Sequence, residues 1–146
     1  MKAKRLPKLQ LDNKQLEVEF FEDVALFGVV SALEPSTCAH WINKYTPFHF
    51  TRNHDMENIH QNEYYPVFYF NQRIKHTEHV LFTNRSINTY LLPEVKNVDY
   101  IWLVKSGSFL KEIIPVVAEV LHDIPGIDYF APLELDRILS KQWLII

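Results

Sequence analysis

The chain has 146 residues, of which 47% are hydrophobic and 23% charged, a length and balance that fit one self-supporting domain without metal or disulfide staples. A net charge of −3 excludes a chain built throughout to hold polyanions. Cys38 is the only cysteine, which excludes an intramolecular disulfide.

The start departs from the average. Lys2, Lys4, Arg5, Lys8 and Lys14 face only Asp12. Residues 1–7 read as a frayed, solvated terminus, with an RNA- or membrane-touching arm as the sharper alternative. No apolar stretch of signal-peptide length follows these charges, and no apolar run approaches the ~20 residues that span a bilayer. The expected location is the cytoplasm.

Leu9 and Leu11 alternate with polar residues and predict a short edge strand over 8–12. Leu16, Val18 and Phe20 alternate with Gln15, Glu17 and Glu19, which predicts a half-buried strand and a hairpin with the first. Val24 to Val30 is nearly all apolar and predicts a central strand, with Gly28 allowing a neighbour close. Glu34-Pro35 suits a helix start. Cys38, Trp41, Ile42 and Tyr45 then recur at helical spacing, Lys44 favours the last turn, and Thr46-Pro47 closes the helix. Cys38 reads as core.

Phe48 and Phe50 predict a short strand with His49 and Thr51 on its other face. Arg52 to Asn62 is polar and reads as loop. Glu63 to Asn71 is strongly β-prone, although Pro66 inside it demands an edge or a bulge. Asn71 to Lys75 can turn the chain into a second strand, Thr77 to Thr83. Asn84 to Asn88 is polar again. Tyr100 to Val104 is wholly apolar, as in a strand buried on both faces, and Lys105-Ser106-Gly107-Ser108 stops it.

Ser108 can cap the next helix. Leu110, Ile113, Ile114, Val117, Val120, Leu121 and Ile124 form its apolar stripe, Pro115 predicts a kink or restart, and Pro125-Gly126 ends it. Ile127 to Ala131 predicts a strand, Pro132 to Leu139 a short helix, and Trp143 to Ile146 an apolar end that something must cover. This order predicts one α+β domain over 1–146, with a mostly antiparallel sheet, two main helices and a partly ferredoxin-like β-α-β-β-α-β course.

Between the last two polar stretches and the central strand lies Leu92-Pro93-Glu94-Val95-Lys96-Asn97-Val98-Asp99-Tyr100. Pro93 fixes a turn, while Asn97 and Asp99 can bond to nearby backbone and hold it. The segment resembles the signature of the bacterial IPExxxVDY family, with Leu92 where that pattern has isoleucine. The resemblance implies a small soluble bacterial protein and carries over no catalytic residues.

Candidate chemistry is sparse. Glu94 and Asp99 form a carboxylate pair that could do acid–base work if one environment splits their pKa values. His54, Asp55, Glu57 and His60, and then His76, Glu78 and His79, match no metal-site spacing and read as solvated histidines. Gly28, Gly107 and Gly126 are isolated, so no phosphate loop is present, although Ser106-Gly107-Ser108 could hold an anion at a helix start. Tyr64 to Phe70 could stack bases but reads first as core, with interface aromatics as a further alternative. No cofactor and no metal site are expected. The leading expectation is a non-enzymatic binding or adaptor domain that meets another protein or a small ligand. Its site is Pro93, Glu94, Lys96, Asp99 and Tyr100, with Pro93 shaping the loop and Asp99 and Tyr100 anchoring it. Membrane and nucleic acid are not expected partners, and self-association stays open. An enzyme using Glu94 and Asp99 is the alternative, followed by an RNA-associated protein.

Overall fold

An apolar run such as Tyr100 to Val104 needs cover on both faces, and that need organises the molecule. The structure is a computed structural model that describes residues 14–60, 62–107 and 110–146. In chain order the elements are α1 (residues 14–21), β1 (Val24–Val30), α2 (Pro35–Tyr45), β2 (Thr51–Arg52), β3 (Asn58–His60), β4 (Glu63–Tyr65), β5 (Val67–Gln72), β6 (Thr77–Thr83), β7 (Tyr100–Ser106), α3 (Leu110–His122) and β8 (Tyr129–Leu133). Six strands form one antiparallel sheet in the order β2-β5-β6-β7-β1-β8, and β3 pairs with β4 apart from it.

The fold is α+β, as the sequence predicts. The strands β6-β7-β1-β8, joined through α2 and α3, follow the ferredoxin-like order. β5 and β2 extend that sheet at one edge. Side chains alternate along each strand. Phe27, Val29, Leu81, Tyr100, Trp102 and Val104 therefore meet Cys38 and Ile42 of α2 and Ile113, Val117 and Leu121 of α3 on one face. Leu26, Val80, Phe82, Ile101 and Leu103 face the other way, against Leu91, Leu92, Val98, Ile138 and Leu144. Of the apolar stretch Trp143 to Ile146, Leu144 and in part Trp143 pack on this face, while Ile145 and Ile146 stay exposed. Each such side chain contributes about 1.5–3 kcal/mol on full burial.

Several expectations change. The predicted strand over 8–12 lies outside the described residues, as does Ser108. Residues 14–21 are helical, not a strand. Leu16 and Val18 point to solvent, so their alternation never reported a buried face, and Gln15 instead bonds Glu19 one turn on. The expected loop from Arg52 contains β2, a 3-10 turn and β3. Pro66 divides the long aromatic strand in two, sending Tyr65 to the small sheet and Val67 to the large one. α3 runs without restart through Pro115, because only the exposed first-turn carbonyl of Lys111 loses a bond there. Pro132 opens no helix. It lies inside β8, an edge strand where proline is tolerated, and the span of the expected helix holds a 3-10 turn, Leu135–Arg137, instead.

Candidate functional site

Leu92 to Tyr100 leaves the β6 side of the sheet and returns as β7 through a 3-10 turn, Pro93–Val95. Pro93 stands first in that turn, where its fixed φ fits and its missing N–H is not needed. The turn is held from beneath by Asn84, which is fully buried. Asn84 Nδ2 donates to the carbonyl oxygens of Val95 (3.1 Å) and Val98 (3.0 Å), and Oδ1 accepts from Leu92 N–H (2.8 Å). Its backbone adds two more bonds, donating to Asp99 O and accepting from Leu91 N–H. Three of the four bonding positions of the side-chain amide are thereby used. Nothing in the polar stretch Asn84 to Asn88 marked this residue as the keystone.

The motif residues then part company. Leu92 and Val98 are core. Val98 packs on Gly28, where a Cβ would stand 2.7 Å from Val98 Cγ1. This is the close approach expected of that glycine. Pro93, Glu94 and Lys96 are exposed, and Glu94 accepts from Ser140 Oγ at 2.6 Å.

Asp99 and Tyr100 face elsewhere. Asp99 Oδ2 accepts from Ser31 N–H at 2.9 Å, and Oδ1 lies 3.3 Å from Arg85 Nε. Tyr100 donates its hydroxyl proton to Leu33 O. Burial, the neighbouring Cys38 thiol and the Glu34 and Asp99 carboxylates push that phenol well above its ordinary range. Both residues line a cavity of about 710 Å³. Its walls are Leu33, Glu34 and Pro35 at the start of α2, Asn62, Glu63, Tyr64 and Pro66 in and beside β4, Thr83 at the end of β6, and Arg85, Ser86 and Ile87 after it.

Three carboxylates and one guanidinium thus share the cavity. Glu63 accepts from Asn88 N–H and Ser86 Oγ, which holds its carboxyl below the usual value. Tyr64 and Ile87 stand at the rim, 64% and 92% exposed. Glu94 does not line this cavity, so the carboxylate pair expected for acid–base work is not brought together in it. Arg85, Glu34, Glu63 and Tyr64 complete the site and come from stretches too far apart in sequence to associate by spacing.

The remaining candidates resolve separately. Cys38 is buried, and burial, then the nearby Asp99 carboxylate, pushes its thiol up to about 12, which removes it as a nucleophile. His54 is exposed beside Glu57. His79 is a correction, since it is fully buried rather than solvated. Ser106 belongs to β7 and is buried, and the rest of the expected Ser106-Gly107-Ser108 anion site runs outside the described residues at Ser108. Phe68 and Tyr65 are core, as expected of the aromatic run, whereas Tyr64 is not. Among the described residues no group of three histidine, cysteine or acidic side chains is placed to hold a metal ion, and no helix is long and apolar enough to cross a membrane.

Comparison of the chain with family models, with curated proteins and with solved structures returned no match.

Proposed function

We propose that the chain is a non-enzymatic binding domain of the bacterial cytoplasm, related to the IPExxxVDY proteins, whose site is the cavity floored by Asp99 and Tyr100. One observation carries this reading. The polar groups at the floor are committed to fixed protein partners, while the rim offers unburied apolar surface. Asp99 has both oxygens engaged, Tyr100 donates to Leu33 O, and Glu63 accepts from Ser86 and Asn88. Committed groups hold a shape, and a general base must instead reach the proton that it removes. Tyr64, Ile87 and Pro35 supply contact area in the manner of ligand pockets. The excess of carboxylates over Arg85 favours a ligand with an ammonium or guanidinium group on an apolar body, either a small amine or a basic side chain of a protein partner.

The test is a thermal-shift screen of small amines, guanidines and short basic peptides, with matched carboxylates as controls. Tyr64→Ala and Glu34→Gln should abolish any stabilisation that wild type shows. Glu94→Ala with Lys96→Ala should leave it intact. Stabilisation that follows the Glu94 and Lys96 substitutions instead would move the site to the outer turn. Turnover of any of these compounds would replace binding with catalysis.

A further inference from the structure

Among the described residues one buried side-chain polar atom has no hydrogen-bond partner, Nε2 of His79. Trp102 Nε1 donates to His79 Nδ1 at 3.1 Å. A nitrogen that accepts cannot carry a proton, so the ring is neutral with its hydrogen on Nε2. Rings enclose it: Phe48 at 4.7 Å, Phe70 at 5.9 Å, Trp102 at 6.0 Å and Phe50 at 6.4 Å between centroids.

Among the described residues no charge faces this ring from any element packed on it. β5 contributes Phe70, β7 contributes Trp102, and the connection after α2 contributes Phe48 and Phe50. Glu78 and Lys105 are strand neighbours on the opposite face, bonded to Tyr69 and to Phe20 O. His49 and the α3 residues Lys111, Glu112 and Glu119 are exposed. The titratable groups in the same core are Cys38 and Tyr100, and burial keeps both protonated and uncharged.

We propose that His79 is an acid-released latch, holding α2 and the Phe48–Phe50 connection on the sheet when neutral and freeing them when protonated. A proton can add only at Nδ1, where it displaces the Trp102 bond and sets two donors face to face. The same proton places a cation among aromatic rings with no carboxylate to answer it. The layer that must lift carries Cys38 and Ile42, and Pro35 at its start, with Leu33 and Glu34 leading into it, belongs to the cavity wall. Mild acid therefore empties the cavity, a consequence that rests on the binding reading above.

The direction follows from linkage. Burial lowers His79 from 6.5 to about 4 in the closed form. The closed form is then most favoured above pH 6.5 and loses ground as pH falls towards 4. Between pH 7 and pH 5 the open fraction rises about twentyfold.

Cys38, the only cysteine, reports the opening without any ligand. Its labelling by 4,4′-dithiodipyridine is measured on the whole chain at each pH and divided by the rate for the urea-unfolded chain. Protection of wild type should fall about twentyfold between pH 7 and pH 5. His79→Gln keeps an acceptor for Trp102 and takes up no proton, so its protection should be the same at both. Unchanged protection in wild type, or an equal loss in H79Q, overturns the latch. Should H79Q fail to fold, ring nitrogen shifts of wild type decide. The latch requires His79 to gain its proton together with loss of Cys38 protection, and His79 charging while Cys38 stays protected overturns it. A failed ligand screen would leave these results untouched, so the two readings fail separately.

Discussion

Asn84 and Val98 are joined across the motif turn by a buried bond, Nδ2 to carbonyl oxygen at 3.0 Å. With the bonds to Val95 and Leu92, it makes one side chain the scaffold on which the loop into β7 is wound. Asn84→Ala removes three bonds and leaves the buried Leu92 N–H and the Val98 carbonyl unanswered, while Val95 O keeps the bond from Val98 N–H, so it should cost about 3 kcal/mol. Urea denaturation measures this, and a loss below about 1 kcal/mol would mean that the turn holds itself.

Gly28 is required by the same turn. A methyl there meets Val98 Cγ1 at 2.7 Å and Leu133 Cδ2 at 3.2 Å. Gly28→Ala should destabilise by about 1–3 kcal/mol through overpacking. Val98→Ala, destabilising alone, should recover part of that loss when combined with it. A double-mutant cycle with no coupling would place the strain elsewhere.

Asp99 separates two roles. Its bond from Ser31 N–H needs only an oxygen, whereas its pairing with Arg85 needs a charge. Arg85 is half exposed, so the charge itself contributes under about 1 kcal/mol. Asp99→Asn should therefore fold with nearly wild-type stability, and Asp99→Ala should cost about 1–2 kcal/mol more by orphaning the Ser31 donor. Equal losses in the two variants would show that charge, not the cap, is what Asp99 supplies.

Glu57 predicts a second acid response, at lower pH than His79. Its side chain is 4% exposed and accepts from Arg52 at 2.7 and 3.0 Å and from Val67 N–H at 3.2 Å. Burial alone would raise this carboxyl, but those bonds and the Arg52 charge outweigh it and hold the group below 4.5. A depressed carboxylate stabilises above its unfolded pKa and stops doing so as pH falls through the folded one. Glu57→Gln should lose about 1 kcal/mol near neutrality, discounted because Arg52 is exposed. Its stability should also fall less steeply below pH 4.5 than that of wild type.

The fold was legible where burial alone dictates residue type. Tyr100 to Val104 has no polar member, so only a strand covered on both faces suits it, and β7 is that strand. The stripes of α2 and α3 and the β5–β6 hairpin were legible for the same reason. Prolines misled because context decides them: Pro66 divides a strand, Pro132 rides an edge, and Pro115 sits early enough in α3 to be tolerated. Of the five residues expected at the candidate site, two line the cavity, Asp99 and Tyr100. Asp99 and Tyr100 stand beside a turn that proline and asparagine announce, whereas Arg85 reaches Asp99 only through the tertiary path around Asn84. Pro93, Glu94 and Lys96 share the motif with Asp99 but lie on the outside of the turn, and periodicity carries no information about which way a turn faces.

The most direct test of the cavity as the functional site is amide chemical-shift mapping of the isotopically labelled chain against the best compound from the screen. The account predicts shifts gathered on residues 33–35, 62–64, 83–87 and 99–100. Shifts gathered on residues 93–96, with these segments silent, would contradict it and return the site to the exposed face of the motif.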